Sequence, residues 1–289
     1  MNDSLTMTVL TENTPTDGLC SEHGLSLHLC YARADKTVNV LLDFGQSDAF
    51  AHNADVLGVD LDAVDVAVLS HAHYDHANGM ATFCEKNDHA PIYLSAACGE
   101  KCWSTKGGTA SRHYIGIELG MLARHPHRLA RVSIRRPTTI APGVHLVPHT
   151  TPGLAEVGKR SGMWLKTDDE WEADGFLHEL SLVVELAPAT DGTTRLAVFN
   201  SCSHAGLAVV ATEVAQAFCR ARIVAYVGGL HLVHATDEEV LQVADAARRA
   251  SIERIYTGHC TGDAALALLR QELPGQVFSL HPGLAVLMT

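Results

Sequence analysis

The run His71-Ala72-His73-Tyr74-Asp75-His76 puts three imidazoles and one carboxylate into six residues, and no other stretch of the chain limits its fold so strongly. Packed together without a cation, these groups would repel or stay poorly satisfied. In an extended segment, side chains two apart point the same way, so His71 and His73 can present two nitrogens to one cation while Ala72 points elsewhere. Where the chain turns into a helix, Asp75 and His76 come round together and offer an oxygen and a nitrogen to a second cation. Such a run needs a rigid strand behind it and a loop around it.

That strand is the nearly continuous β-branched and aliphatic stretch 64–70, so the histidines sit at its C-terminal edge. Residues 38–43 read as another strand, ending at Phe44-Gly45 and followed by helical spacing over 46–57 before Gly58. Residues 92–94, 144–147 and 182–186 read as further strands, while 150–179 is polar, contains Trp and shows no period. Later the pattern sharpens. Residues 196–199 lead into Ser201-Cys202-Ser203-His204 and a helix over 207–220. Residues 223–227 lead into Gly228-Gly229-Leu230-His231 and a helix whose start carries capping-box spacing at Thr236 and Glu239. Residues 254–256 lead into Gly258-His259-Cys260 and a helix over 263–272, before a last strand pair around Val277 and Val286.

Strand, histidine-bearing loop, helix is the repeating unit, and it predicts a layered α/β fold with its chemistry on loops at strand ends. Without a Gly/Ser/Pro-rich linker or a short repeat, residues 1–289 read as one domain. The segment 95–131 mixes Gly, Cys, Trp, His and Arg without a period. It reads as an inserted lid that covers the cleft and sets substrate choice rather than completing the core sheet.

His204 and His259 complete the ligand set expected from the residues: His71, His73 and His204 for one ion, Asp75, His76 and His259 for the other. Asp75 is in addition the expected catalytic carboxylate, able to hydrogen-bond a nucleophile. Two divalent ions are expected, zinc first, with manganese or iron as alternatives. His231 is either substrate-facing or an alternative ligand. Cys202 is either a bridging thiolate or a small buried hydrophobe. Asp43 is either a carboxylate accepting a ring N–H from a ligand histidine or a turn aspartate bonding its own backbone. Cys98 and Cys102, with no matching second pair, read as packing thiols among the eight cysteines, which are too few for a disulfide scaffold.

A formal charge of −12 opposes general affinity for nucleic acid or anionic membranes, so the expected partner is a small molecule, with a homo-oligomer compatible. An anionic substrate must then be met locally, by the metals or by Arg112, His113, Lys159, His231 and His234. The start Met1-Asn2-Asp3-Ser4 lacks a basic leader and every apolar run is interrupted before bilayer length. The expected compartment is the cytoplasm.

With its preceding strand, His71-Ala72-His73-Tyr74-Asp75-His76 resembles the signature of the metallo-β-lactamase superfamily. That resemblance implies an αββα sandwich holding one or two metals between strand-end loops. Glu22-His23-Gly24-Leu25-Ser26, Leu42-Asp43-Phe44-Gly45-Gln46-Ser47, Ser201-Cys202-Ser203-His204-Ala205-Gly206, Gly228-Gly229-Leu230-His231-Leu232 and Gly258-His259-Cys260-Thr261-Gly262 are similar to one branch of it. The branch includes dihydropterin ribofuranosylaminobenzene phosphate synthase-like proteins, which implies pterin or phosphate-ester substrates. Cys202 and His204 stand where the superfamily usually has a bridging aspartate. His149-Thr150-Thr151-Pro152-Gly153 is one threonine longer than the superfamily's usual ligand loop, leaving His149 and His178 as alternative ligands.

Divalent cations lower the pKa of coordinated water toward neutrality, so the expected activity is hydrolysis of a small anionic ester or phosphoester. The alternatives are a di-iron redox enzyme of the same fold and a metal-binding regulatory protein with little turnover. The redox reading ranks lower because no flavodoxin-like domain and no cysteine cluster of iron–sulfur spacing follows.

Overall fold

The computed structural model describes residues 3–34, 36–105, 111–168 and 170–289. The strands expected near 38–43 and 64–70 are Lys36–Leu42 and Val66–Val68, which pair in parallel. They lie inside a seven-stranded sheet in the order Ala285–Met288, Ser4–Thr11, Ser26–Arg33, Lys36–Leu42, Val66–Val68, Ile92–Ser95, Leu129–Val132. A second seven-stranded sheet runs Val277–Ser279, Ile255–Thr257, Ala221–Val227, Thr194–Phe199, Leu180–Leu186, Val144–Pro148, Thr138–Ala141.

Period-two alternation decides which side chains go where. Val40 and Leu42 point inward to meet Leu182, Val184, Ala197 and Phe199 of the opposite sheet, while Leu41 points outward onto Phe44 and Phe50. In the second sheet, Val183, Leu196 and Val198 point outward beneath Leu207–Ala217 and Asp237–Arg249. Both faces of the central strands are therefore buried, which is why their sequences read as unbroken apolar runs. Each fully buried side chain such as Phe199 contributes about 1.5–3 kcal/mol of transfer free energy. The result is a mixed α/β sandwich, helices outside and two sheets inside, as the resemblance implies.

Several local expectations are met. The helix near 46–57 is Ala49–Leu57, closed by Gly58 in the left-handed conformation (φ 71°). Thr236 and Glu239 form both halves of a capping box. Other expectations need correction. Val277–Ser279 and Ala285–Met288 are not a pair: the first edges the second sheet, the second edges the first sheet against Ser4–Thr11. Both are short apolar runs near the end of the chain, and sequence adjacency does not fix the sheet each joins.

The segment 95–131 is also more than a lid. Its end, Leu129–Val132, is a parallel edge strand of the first sheet beside Ile92–Ser95. Ile117 and Met121 are buried in the same outer core as Phe44 and Phe83. Cys102–Ser104 and His113–Tyr114 join Met163–Thr167 and Glu170–Ala173 in a third, four-stranded sheet. Elements of two to five residues are too short to show a period, which hid this sheet in both halves of the sequence. The tip of the expected lid, residues 106–110, lies outside the described residues. The rest leans on the histidine run, through a bridge between His73 and Gly116 and a hydrogen bond from Tyr74 N–H to Ile115 O (3.0 Å).

Candidate metal centre

Five strands deliver the centre, two paired in parallel in the first sheet and three in the second. Asp43 follows Lys36–Leu42, His71 follows Val66–Val68, Cys202 and His204 follow Thr194–Phe199, His231 follows Ala221–Val227, and His259 follows Ile255–Thr257. All are C-terminal ends, where a parallel sheet leaves its crossover loops. The loops turn sharply: Asp43, Ser203, His231 and His259 hold positive φ of 62, 52, 53 and 50°, a conformation that L side chains adopt at a cost and that clusters at functional sites. Gly228 makes one such turn. Its φ is +133°, and a Cβ there would stand 2.0 Å from Asn200 O, so only glycine lets the His231 loop pass the Cys202 loop.

Two sets of rings converge. The His71, His73 and His204 centroids lie 4.6, 4.7 and 4.9 Å apart, and His71 Nε2 faces His204 Nε2 at 3.3 Å. His76 Nε2 faces His259 Nε2 at 3.1 Å, and Asp75 Oδ2 lies 3.5 and 3.3 Å from those two nitrogens. Cys202 Sγ is 3.3 Å from His76 Nε2. All of these side chains are buried.

The hydrogen-bond network dictates which nitrogens are bare. Ser70 O–H donates to Asp43 Oδ2 (2.7 Å), so His71 Nδ1–H donates to Ser70 Oγ (2.8 Å) and its Nε2 carries a lone pair. His76 Nδ1–H donates to Asp43 Oδ2 (2.8 Å) and His259 Nδ1–H to Asn13 Oδ1 (2.9 Å), so a neutral ring in either place also has a bare Nε2. The facing nitrogens, 3.1 Å apart at His76 and His259 and 3.3 Å apart at His71 and His204, need a proton or a cation between them. Two nitrogens about 2.0–2.1 Å from a tetrahedral zinc stand about 3.3 Å apart, which matches these gaps. His73 Nε2 and His204 Nδ1 are buried with no hydrogen-bond partner among the described residues, so the donor set fits cations.

Protonation agrees with that reading. Burial, reinforced by neighbouring His76 and His73, holds His71 well below the usual histidine range. Burial likewise lowers His73 to about 3, helped by His178, and lowers His204, helped by His231. Neutral imidazole is the form that ligates. At Asp75 burial acts upward, but His76, with His23 and His259, outweighs it and holds the carboxyl well below the usual range. At His259 burial acts downward, yet Asp75 and Cys260 raise the ring to about 9, so the bare chain keeps a proton where a cation would take its place.

The superfamily profile for metallo-beta-lactamases matches residues 24–259, from the glycine behind His23 to His259 itself. The chain belongs to the metallo-β-lactamase superfamily. A solved metal-dependent hydrolase of this superfamily is 27% identical, with a TM-score of 0.78 over 98% of both chains. The 7,8-dihydropterin-6-methyl-4-(beta-D-ribofuranosyl)-aminobenzene-5'-phosphate synthase of Methanocaldococcus jannaschii is 22% identical over 91% of this chain and 89% of its own. A diphosphatase from the PhnP family shares the fold at 15% identity, with a TM-score of 0.52 over 99% of this chain and 97% of its own. Divalent metals are what this superfamily fold typically holds, and the His, Cys and Asp groups here are able to hold them.

The Asp43 carboxylate receives His76 Nδ1–H, Ser70 O–H and Ser70 N–H, contacts that fit the ring-orienting alternative. Replacing Asp43 with Asn should weaken zinc binding about 10–100-fold without unfolding the chain, because an amide in place of the carboxylate cannot accept all three donors. Competition of the Asp43→Asn variant with a chromogenic chelator, alongside far-UV circular dichroism, measures it. Affinity within twofold of wild type would remove Asp43 from the centre.

His149 is not brought to the centre by its Pro-Gly loop. Its Nδ1 pairs with Glu213 (2.7 Å) and its Nε2 with Ser181 Oγ (2.9 Å), so both nitrogens are committed. His178 Nδ1 accepts Ala72 N–H (3.2 Å), which pins the backbone between His71 and His73, and its Nε2 pairs with Asp174 (2.9 Å); with His73, Cys102 and Asp174 it forms a further group able to hold a cation. That arrangement also explains Cys102, which sits 3.7 Å from His178 Nε2 rather than pairing with Cys98. Arg112 stacks on Trp171 and Trp164, 4.3 and 4.8 Å from the ring centroids, on the third sheet with exposed His113. Lys159 is exposed on Leu154–Arg160. Of the expected anion-binding side chains, His231 reaches the centre, its ring 4.4 Å from that of His204, and shares a cavity of about 530 Å3 with His234, Arg160 and Ser161.

Some contributors were not read from the sequence as site residues. His23 Nε2 lies 3.3 Å from Asp75 Oδ2 at the exposed mouth of the site. Glu12 accepts the backbone N–H of His259, and Glu179 accepts those of His204 and Ala205 at 2.8 and 2.9 Å. The available signal was the alternation Leu5, Met7, Val9, which marks a strand aimed at Glu12 and Asn13.

Proposed function

We propose that this protein is a metal-dependent hydrolase of small anionic esters or phosphoesters, with a pterin-type phosphoester among the candidate substrates. The observation that carries it is the pair of close nitrogen–nitrogen gaps, His71 to His204 and His76 to His259, with the Asp75 carboxylate beside the second. His71, His73 and His204, and Asp75, His76 and His259, would hold divalent ions, zinc first, which would supply Lewis acidity and lower the pKa of water. The chain does the rest. Asp75, ionised and aimed at the same gap, accepts a proton-bearing group and fixes its direction. Asp43 and Asn13 lock the tautomers of His76 and His259. Burial keeps water other than the reactant away from the rings.

His231, His234 and Arg160 line the adjoining cavity and offer donors to the anionic part of a substrate. The strands Cys102–Ser104 and His113–Tyr114, with Ile115 and Gly116 that follow them against Tyr74 and His73, would select what enters. The pterin suggestion rests on the Methanocaldococcus jannaschii relative, whose name describes a synthase; the hydrolytic suggestion rests on the site and on the solved metal-dependent hydrolase.

The test is a panel of carboxylesters and phosphoesters, pterin phosphates included, with zinc-, manganese- and iron-loaded protein. Turnover of at least one ester class is expected, abolished by chelation. No ester turnover in any metal form, with catalytic oxygen consumption by the reduced iron form, would replace hydrolysis with redox chemistry. Saturable binding without turnover would favour a regulatory role.

A further inference from the structure

Cys202 stands where the two ligand sets meet. Its Sγ belongs to three groups of possible ligands, with His71 and His204, with His76 and His259, and with His231 and Cys260, and in each the ligand atoms lie within 4.8 Å of one another; only the first two contain nitrogens of the two facing histidine pairs. The Asp75 carboxylate sits on the other side of His76 and His259, 3.5 and 3.3 Å from their Nε2 atoms, and also reaches the exposed His23 at the mouth of the site. The loop around Cys202 is firmly held. Ser203 N–H donates to Asn200 Oδ1 (2.6 Å), and the Ser203 hydroxyl bonds Tyr226 and donates to Gly229 O (2.7 Å). Cys260 lies behind it, Sγ to Sγ 3.4 Å, donating its S–H toward Cys202 while its own sulfur accepts the His231 backbone N–H at 3.3 Å. One sulfur is thus directed at the histidines and the other is held at its back.

We propose that Cys202 is the ligand shared by the two metal positions, its thiolate bridging the ion held by His71, His73 and His204 and the ion held by Asp75, His76 and His259. The inference rests on the two-ion reading of the centre given above. A thiolate sulfur has lone pairs enough for two cations and is a soft donor, so this bridge selects zinc, cobalt or iron over magnesium or calcium. On binding, the S–H bond breaks, its proton leaves to solvent, and the sulfur's lone pairs form the two new bonds.

The experiment uses the full-length protein and zinc alone. Zinc per chain is counted first by mass spectrometry, and the zinc-edge X-ray absorption of wild type, Cys260→Ser and Cys202→Ser is then recorded. A sulfur shell at about 2.3 Å is expected. In Cys260→Ser a shared Cys202 gives an average of one sulfur per zinc, and in Cys202→Ser the shell disappears. Half a sulfur per zinc in Cys260→Ser means that Cys202 serves a single ion, and no sulfur means that it serves none; either result overturns the proposal. Should Cys202→Ser fail to fold, wild type and Cys260→Ser still decide it. One zinc per chain would remove the two-ion reading and the shared ligand with it, and the metal count separates that failure from the others. Ester turnover enters none of these arms.

Discussion

The His71→Ala/His76→Ala double variant should retain almost no transition metal after purification, with affinity reduced by well over the ~10–100-fold that follows loss of a hydrogen-bond partner to a ligand. Each substitution takes a ligand from a different gap. Without the His71 ring, His204 Nε2 loses the nitrogen that faces it at 3.3 Å; without the His76 ring, His259 Nε2 loses the one at 3.1 Å. The second loss also removes a donor from buried Asp43, although Ser70 keeps two hydrogen bonds to that carboxylate and so limits the cost to the fold. Inductively coupled plasma mass spectrometry of wild type and variant, purified side by side, gives the metal content, and far-UV circular dichroism shows that the sandwich persists. Metal content unchanged in the double variant would place the ions elsewhere in the chain.

Much of this candidate centre was legible because its candidate ligands are local to strand ends. His71 to His76 announce themselves by density, and His204 and His259 by standing directly after apolar runs that could only be buried strands. Asp43 was half legible: its place after a strand suggested a carboxylate aimed at the site, but the competing turn role could be rejected only once His76 Nδ1 was found 2.8 Å away. Asn13 was only faintly legible. It meets His259 across 246 residues, and the strand Ser4–Thr11 that leads to it alternates with Thr, a pattern weaker than the continuous runs at the sandwich centre. His149 shows the opposite failure. Its loop looked right, but a motif does not say where a ring points, and Glu213 and Ser181 had claimed both nitrogens. The third sheet escaped because it is assembled from short pieces on either side of residue 150, each with too few residues to carry a period.

Asp75 is where the chemistry is most exposed to a single atom change. Its Oδ2 lies 3.3 Å from His23 Nε2, 3.3 Å from His259 Nε2 and 3.5 Å from His76 Nε2, so one oxygen serves three imidazoles. Those rings hold the carboxyl well below its usual range against the upward push of burial, so it is an anion across the whole working pH range. Asp75→Asn keeps the shape and removes the charge. The amide is a poorer ligand, cannot accept a proton from a nucleophile, and turns an NH2 or a weak carbonyl toward nitrogens that are bare when the rings are neutral. Loss of a directly acting charge of this kind removes several kcal/mol of transition-state stabilisation, and about 3 kcal/mol already corresponds to more than a hundredfold in rate. The expected result is a drop in kcat/KM of at least about a hundredfold. Zinc should fall toward one per chain, because His71, His73 and His204 are untouched. Steady-state kinetics on the best substrate of the ester panel and metal analysis of the same preparation test both halves. Two zinc ions per chain with activity within tenfold of wild type would show that the carboxylate neither ligates nor directs the reaction, and the acid–base role would pass to the next group in the mouth of the site, His23.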